Sequence, residues 1–277
     1  ASDVYKRQGR WRLHDLLRHY GRTMLAATPE AEQKLWRDLG PAAVERLEEI
    51  NARFRSGGEE MVPALAELDA ELPLLLDVQE WAARRFEKDA TAAEVASRLP
   101  HPLCIDFRLS PSERLNWLQT ALPAAEHRGE KAEIAAAAGN LGLVHRHRGE
   151  WEEALSMHHK SLAIAEELGD RAGVARNSGN LGLVHQERGE WEEALSMHHK
   201  SLAIAEELGN RAYAASQYGN LGLVHRERGE LEEALSMHRK SLAIAVELGN
   251  RAYAASQYGN LGPVSYTHLT LPTISSV

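Results

Sequence analysis

Histidine is the residue whose number and spacing in this chain could most readily do chemistry. The chain has 14 histidines, and two adjacent pairs, His158-His159 and His198-His199, lie 40 positions apart. Histidine is a common metal ligand, so a metal-dependent hydrolase is one function to weigh. Neighbouring residues on a helix point about 100° apart, however, and cannot chelate one ion as an i, i+4 pair does. Duplication of a repeat that contains a core histidine explains why the histidines recur, so we expect structural histidines and no metal.

Paired carboxylates are the second group that could act, as a general acid and base. Glu192 and Glu193 recur in each copy of the same local sequence. They fall where a helix is predicted to begin, and carboxylates are favoured there by the positive end of the helix dipole. We therefore interpret them as solvated helix starts, and we expect no catalytic residue and no enzyme.

A 40-residue period positions all of these groups. Residues 129–168, 169–208 and 209–248 share the segments G-N-L-G-L-V-H, R-G-E and E-E-A-L-S-M-H, and residues 249–262 repeat the start of the third copy. A fixed period with two helix-length segments per copy predicts a stacked array, in which each unit buries its apolar face against its neighbours.

Each copy predicts two helices. In the copy at 169–208, Asp170 is a suitable N-cap for a first helix that runs from about Arg171 to Arg188. Gly189 is predicted to end it in the left-handed conformation. The first helix has a buried stripe at Leu181, Val184 and His185. The second helix has one apolar stripe at i, i+3, i+4 spacing, formed by Trp191, Ala194, Leu195, His198, Ser201, Leu202, Ala205 and Leu208.

These segments resemble the tetratricopeptide repeat. Asn180-Leu181-Gly182, Gly189, Trp191, Ala194 and Ser201 fall on signature positions of that family, and the 40-residue period is similar to its long-helix form. His185 departs from the tyrosine that is usual there. The resemblance implies an all-α fold, a tetratricopeptide-type helical-hairpin solenoid preceded by irregular connector helices, with a protein-interaction function.

The resemblance places the binding surface on the first helices, which line the inner curve of such a solenoid. Asn140, Asn180 and Asn220 repeat at one phase, and in the family this asparagine often forms a ladder. A carboxamide donates and accepts together, so it can hold the backbone of an extended peptide. The alternative is that each asparagine bonds its neighbouring helix. Positions that vary between copies are candidates for selecting the partner, and they are Arg146, Gln186, Arg226 and Arg176. The alternative is that they vary because they face solvent.

The N-terminal sequence from Trp11 to Arg18 carries a second resemblance. W-R-L-H-D-L-L-R resembles the strand-to-helix corner that closes the winged-helix module of STAND-type (NB-ARC) signalling ATPases. The resemblance implies that, in an intact parent protein, His14 faces the diphosphate of ADP and Asp15 orients the loop. The chain has no Gly-rich Lys-Ser/Thr loop, so we expect no cofactor here, and ADP or ATP only in an intact parent. An amphipathic helix with a surface histidine, in a stand-alone tetratricopeptide adaptor, is the alternative.

Both ends of the chain resemble a translated DNA adaptor of a transposon-based sequencing library. Codons GAT-GTG-TAT-AAG-AGA-CAG encode Asp3 to Gln8, and their reverse complement in a shifted frame encodes Val264 to His268. We set both ends aside and expect a fragment. The predicted organisation is a scar at 1–8, a winged-helix remnant at 9–28, connector helices at 29–111, an array at 112–262 with a degenerate helix at 112–128 and a partial copy at 249–262, and a scar at 263–277.

Within the connector, Thr28-Pro29 predicts a helix start, because proline suits the first helical position. Gly40-Pro41 and Ser56-Gly57-Gly58 are predicted to interrupt helices, and Pro123 is predicted to kink the degenerate helix.

Composition narrows the partners to a protein or an extended peptide. A net charge of −8 disfavours nucleic acid, and no apolar run reaches the roughly 18–20 residues that cross a bilayer. The single cysteine, Cys104, cannot form an internal disulfide, which favours the reducing cytoplasm. Because the last copy ends early, Leu242 and Ile244 are predicted to lack cover, and the array could self-associate through that end.

Overall fold

The computed structural model describes residues 28–261 in full and the backbone of residues 5–7 and 10–12. His14 and Asp15, with the predicted ADP-sensing corner, lie outside these residues, as does the segment after residue 261. The described part of the chain begins with two short strands, β1 (Tyr5–Arg7) and β2 (Arg10–Arg12). The helices that follow are α1 (Pro29–Ser56), α2 (Met61–Arg85), α3 (Ala90–Arg98), α4 (Pro111–Arg128), α5 (Lys131–His147), α6 (Trp151–Leu168), α7 (Arg171–Glu187), α8 (Trp191–Glu207), α9 (Arg211–Glu227) and α10 (Leu231–Glu247). A final helical segment covers 251–261, and 3-10 turns lie at Gly58–Glu60 and Leu103–Phe107. β1 and β2 pair antiparallel, with Tyr5 opposite Arg12.

The described residues divide into two compact units. One comprises residues up to 113 together with 123–128, and the other comprises 114–122 and the residues from 129 onwards. Helix α4 contributes to both and continues as a helix through Pro123. None of the helices in the described part of the chain is both long and apolar enough to cross a membrane.

The first unit shows that one predicted interruption is wrong. Helix α1 begins at Pro29 and ends at Ser56, as expected, but it continues through Gly40-Pro41. A Cβ at Gly40 would lie 2.8 Å from Val95 Cγ2 and 3.2 Å from Trp81 Cζ3. The bare glycine thus lets α2 and α3 pack directly on α1, and this packing holds a helix that loses one backbone hydrogen bond at Pro41.

The second unit contains the repeated helix pairs, α5–α6, α7–α8 and α9–α10. The two helices of each pair pack against each other, and each second helix also packs against the first helix of the next pair. The predicted cap at Asp170 is confirmed, because Asp170 Oδ1 accepts from Gly173 N at 2.9 Å. Asn210 caps the next first helix in the same way, and its Oδ1 accepts from Tyr213 N at 3.1 Å. Gly189 ends its helix at a φ of 75°.

The predicted stripe of the second helix is confirmed in its middle, whereas Trp191 and Leu195 are only half-buried. Ala194, His198, Ser201, Leu202 and Ala205 are buried. Leu208, predicted to be buried, is 49% exposed. The phase of Leu208 is right, but α8 ends at Glu207 and the chain reverses at once, so no neighbouring helix covers this side chain. Ile204, which the stripe omitted, is only 4% exposed.

The C-terminal end of the array is less well covered than its interior. Leu242 and Ile244 are half-buried, whereas the equivalent Leu202 and Ile204 are buried. Val246 and Tyr258 are exposed at the same end.

We therefore expect concentration-dependent self-association through this end. Sedimentation equilibrium is expected to show dimers or larger species at high protein concentration, and the double substitution Val246→Glu and Tyr258→Glu should return the protein to a monomer, because like charges would oppose each other across the contact. A wild-type protein that stays monomeric at every concentration would contradict this prediction.

Candidate functional site

The first helices of the repeats form the inner side of the array. Consecutive first helices contact each other, α5 with α7 and α7 with α9, and consecutive second helices in the described residues contact less. Tyr213 Oη on α9 donates to Ala175 O on α7 at 3.4 Å, and Tyr253 repeats this bond to Ala215 O at 3.2 Å. First helices held this closely give a concave inner surface of the kind that solenoids use for binding.

The asparagine row lies half-buried along the first helices. Asn180 and Asn220 have no side-chain hydrogen bond to any part of the chain that the structure describes. Asn140 occupies the same place in the first copy but makes an interaction of its own. Arg176 is exposed one helical turn before Asn180, and residues four apart share a helix face. The geometry thus leaves two carboxamides free at the inner surface.

The remaining positions that vary between copies lie on a different face of the first helices from the asparagines. Arg146, Gln186 and Arg226 follow the asparagines by six residues, about 240° around the helix. The Arg146 side chain is 15% exposed and its Nη1 lies 3.7 Å from Glu187 Oε1 of the next repeat. Gln186 Oε1 is buried without a hydrogen-bond partner among the described residues. The structure therefore does not bring this row beside the asparagines, and its role in selectivity stays a prediction.

Three histidines are fully buried at equivalent places on the second helices: His158, His198 and His238. The His198 ring lies against Gly182, where an added Cβ would stand 2.7–2.8 Å from ring atoms. Its Nδ1 lies 2.9 Å from Oε1 of Gln217 in the next repeat. Burial lowers the pKa of His158 and of His198 to about 4. These rings pack as neutral core residues.

The recurring histidines of the first helices make a different contact. His185 Nδ1 lies 2.6 Å from Glu190 Oε2, and His145 and His225 repeat this contact with Glu150 and Glu230 at the same distance. The hydrogen bond from His185 lowers the pKa of the Glu190 carboxyl. Within the described residues, no three His, Cys, Asp or Glu side chains are arranged to hold a metal ion.

Sequence reasoning missed the polar residues between the repeats. Asn177, Gln217 and Gln257 occupy one phase of the 40-residue period and are buried. Asn177 Nδ2 donates to Ser161 Oγ at 2.8 Å, and the two glutamines meet histidines. Recurrence of an amide at one phase was the signal that could have identified them.

Comparisons with known proteins identify the repeat and the fold. Residues 133–207 and 173–247 match the family model described as tetratricopeptide repeat. No curated protein matches the chain in sequence. The structure of BtubC (BKLC) from P. vanneervenii is similar with a TM-score of 0.60 and 21% identity, over 73% of this chain and 84% of that chain. The repeated unit is a tetratricopeptide-type solenoid.

Two further similar structures share the fold of the tetratricopeptide array at low identity. A Rap protein complexed with competence and sporulation factor has a TM-score of 0.57 and 12% identity, over 86% of this chain and 73% of that chain. A STAND protein with a tetratricopeptide repeat sensor from Pyrococcus horikoshii has a TM-score of 0.56 and 14% identity, over 90% of this chain and 42% of that chain.

Proposed function

We propose that the tetratricopeptide array is a protein-interaction scaffold that holds an extended peptide along its inner surface. The observation that carries this proposal is the pair of free, half-buried carboxamides of Asn180 and Asn220 at equivalent places on neighbouring first helices. Polar groups that are partly removed from water and lack partners are costly unless a ligand or water bonds them. A second chain can supply those bonds.

The chemistry of the row suits a peptide backbone. Each carboxamide can donate from Nδ2 to a peptide carbonyl and accept an N–H at Oδ1, so the pair binds main chain whatever its side chains are. Leu183 and Leu223, three residues on, are half-buried and offer apolar contact. Arg176 and Ser216 occupy equivalent positions one turn before the asparagines and differ between copies, so they are suited to selecting side chains.

The prediction is that Asn180→Ala with Asn220→Ala weakens peptide binding at least roughly 30-fold, about 2 kcal/mol, because four hydrogen bonds of at least about 0.5 kcal/mol each are lost. The probe is a peptide selected on the purified array from a random library, titrated by calorimetry. Circular dichroism should show unchanged helicity, because neither side chain bonds another described residue.

The matched control places the same kind of truncation on the other helices. Ser196 and Ser236 are exposed on α8 and α10, so Ser196→Ala with Ser236→Ala is expected to leave the affinity unchanged. If the asparagine variant bound the peptide as tightly as the wild type, the asparagine ladder would be refuted. If both variants lost the same affinity, the peptide would not be held by the asparagines.

We further propose that this scaffold is the partner-sensing C-terminal part of a cytoplasmic STAND-type signalling ATPase. The sequence around His14 and Asp15 supports this proposal, as does the similarity in fold to a STAND protein with a tetratricopeptide sensor. The test is the reading frame upstream of this sequence. A Gly-rich Lys-Ser/Thr loop there, and loss of ADP binding by the longer protein on His14→Ala, would support it, whereas a frame without that loop would favour a stand-alone adaptor.

A further inference from the structure

The junctions between repeats contain a titratable group at their centre. His198 lies on α8, packs on Gly182 of α7 and reaches Gln217 of α9. His238 makes the same contact with Gln257 at 3.0 Å. A single side chain therefore bonds across each of these two junctions, and it is fully removed from solvent.

At His198 and His238 the hydrogen bonds fix which ring nitrogen could take a second proton, whereas both ring nitrogens of His158 are buried without a partner among the described residues. The acceptor at His198 Nδ1 is a carboxamide oxygen, so Nδ1 carries the hydrogen and Nε2 holds the lone pair. Nε2 of His158, His198 and His238 is buried and has no partner among the described residues. A proton added there creates an N–H and a positive charge with no acceptor, which is unfavourable in a buried site.

Among the groups that act on the three rings, the amides of the next repeats favour the charged form, but burial outweighs them. The helix that carries each ring contributes His159 beside His158 and His199 beside His198, and the first helices contribute Arg146 near His158 and Arg226 near His238. The next repeats face the rings with the amides Asn177, Gln217 and Gln257. Within the described residues, no carboxylate is among the groups that act on the three rings.

We propose that the inter-repeat junctions are an acid-sensitive device, in which protonation of the three buried histidines separates neighbouring repeats and opens the inner surface. Separation lets water reach Nε2 and hydrate the imidazolium. The array is thus held together at neutral pH and loosens in acid. This behaviour belongs to the stack itself and stands whether or not a peptide binds there.

The pH window follows from the pKa values. The pKa of His158 and of His198 falls from 6.5 to about 4 on folding, and that of His238 is lowered as well, chiefly by burial. The folded array binds fewer protons than the unfolded chain between these values. The stability that these rings contribute is therefore present above about pH 6.5 and is lost as the pH falls toward 4.

The test is urea unfolding of the array between pH 7.5 and 5.0, followed by circular dichroism. Each ring with a folded pKa of about 4 should raise the unfolding constant about 30-fold at pH 5, because the unfolded imidazole is then largely protonated. The triple variant His158→Gln, His198→Gln, His238→Gln should lose this dependence. The control His159→Gln with His199→Gln removes two histidines that are exposed on the same helices but whose own pKa values are also lowered by burial, so it should keep most of this dependence.

The wild-type protein alone keeps the proposal falsifiable if the triple variant does not fold. The slope of stability against pH between 5 and 6 gives the number of protons taken up on unfolding, and we expect about two or more from these sites. Hydrogen exchange at pH 5 should show α8 and α9 losing protection first. A slope near zero, or a triple variant with the wild-type slope, would overturn the proposal.

Discussion

Gly182→Ala is expected to destabilise the array by about 1–3 kcal/mol, although alanine is the better helix former. The added methyl would stand 2.7 Å from His198 Cε1 and 2.8 Å from both ring nitrogens. The ring cannot move aside, because it is fully buried and hydrogen-bonded to Gln217. The same change at Gly222 meets His238 at the same distances, so the double variant should lose roughly twice as much.

Gly259→Ala is the control for this prediction. It lies in the final helical segment, and nothing stands within 4 Å of an added Cβ. Alanine there is expected to be neutral or to stabilise by up to about 1 kcal/mol. Urea unfolding followed by circular dichroism measures both variants. If Gly182→Ala were as stable as wild type, the close contact between the first helix and the buried histidine would be refuted.

Leu221→Ala is expected to cost about 2–5 kcal/mol, because it opens a cavity in a site that no solvent reaches. Leu221 is fully buried and packs in a cluster with Leu202, Ala205 and Ala214, to which α8 and α9 both contribute. In a nearest-neighbour stack the loss should stay within the flanking repeats. Hydrogen exchange should therefore show reduced protection in 191–247 and little change in α5.

Leu208→Ala tests whether the position or merely the residue type matters. The periodicity of the sequence assigns Leu208 to the buried stripe, but the side chain is about half exposed. We expect the free energy of unfolding to fall by less than about 1 kcal/mol, because folding buries only part of the apolar surface of this side chain. Equal losses for Leu208→Ala and Leu221→Ala would contradict the packing in which Leu221 is buried and Leu208 is exposed.

The repeated part of the fold could be predicted from the sequence because each copy carries the same signals for helix starts and helix ends. Asp170, Gly189 and Asn210 determine where helices begin and end, and these signals depend only on nearby backbone groups. The fixed period then predicts that identical helix pairs stack on one another. The connector lacks this redundancy, and there the local signal of Gly40-Pro41 was overridden by packing against Trp81 and Val95.

The candidate site was only partly accessible to sequence reasoning. The phase of Asn180 and Asn220 placed them on the inner surface, but their freedom from hydrogen bonds depends on side-chain positions across repeats. The bond from His198 to Gln217 joins residues 19 apart, and nothing in either local sequence indicates that the two side chains meet. Contacts of this kind require the packing angle of neighbouring helices.

The most direct measurement is photo-crosslinking from the two sides of the array. A benzophenone amino acid at Arg176 or Ser216 would lie on the inner surface, and one at Ala203, exposed on α8, would lie on a second helix. With a library-selected peptide, we expect crosslinks from the two inner positions and none from position 203. Crosslinks from position 203, with none from 176 or 216, would contradict the claim that the first helices hold the peptide.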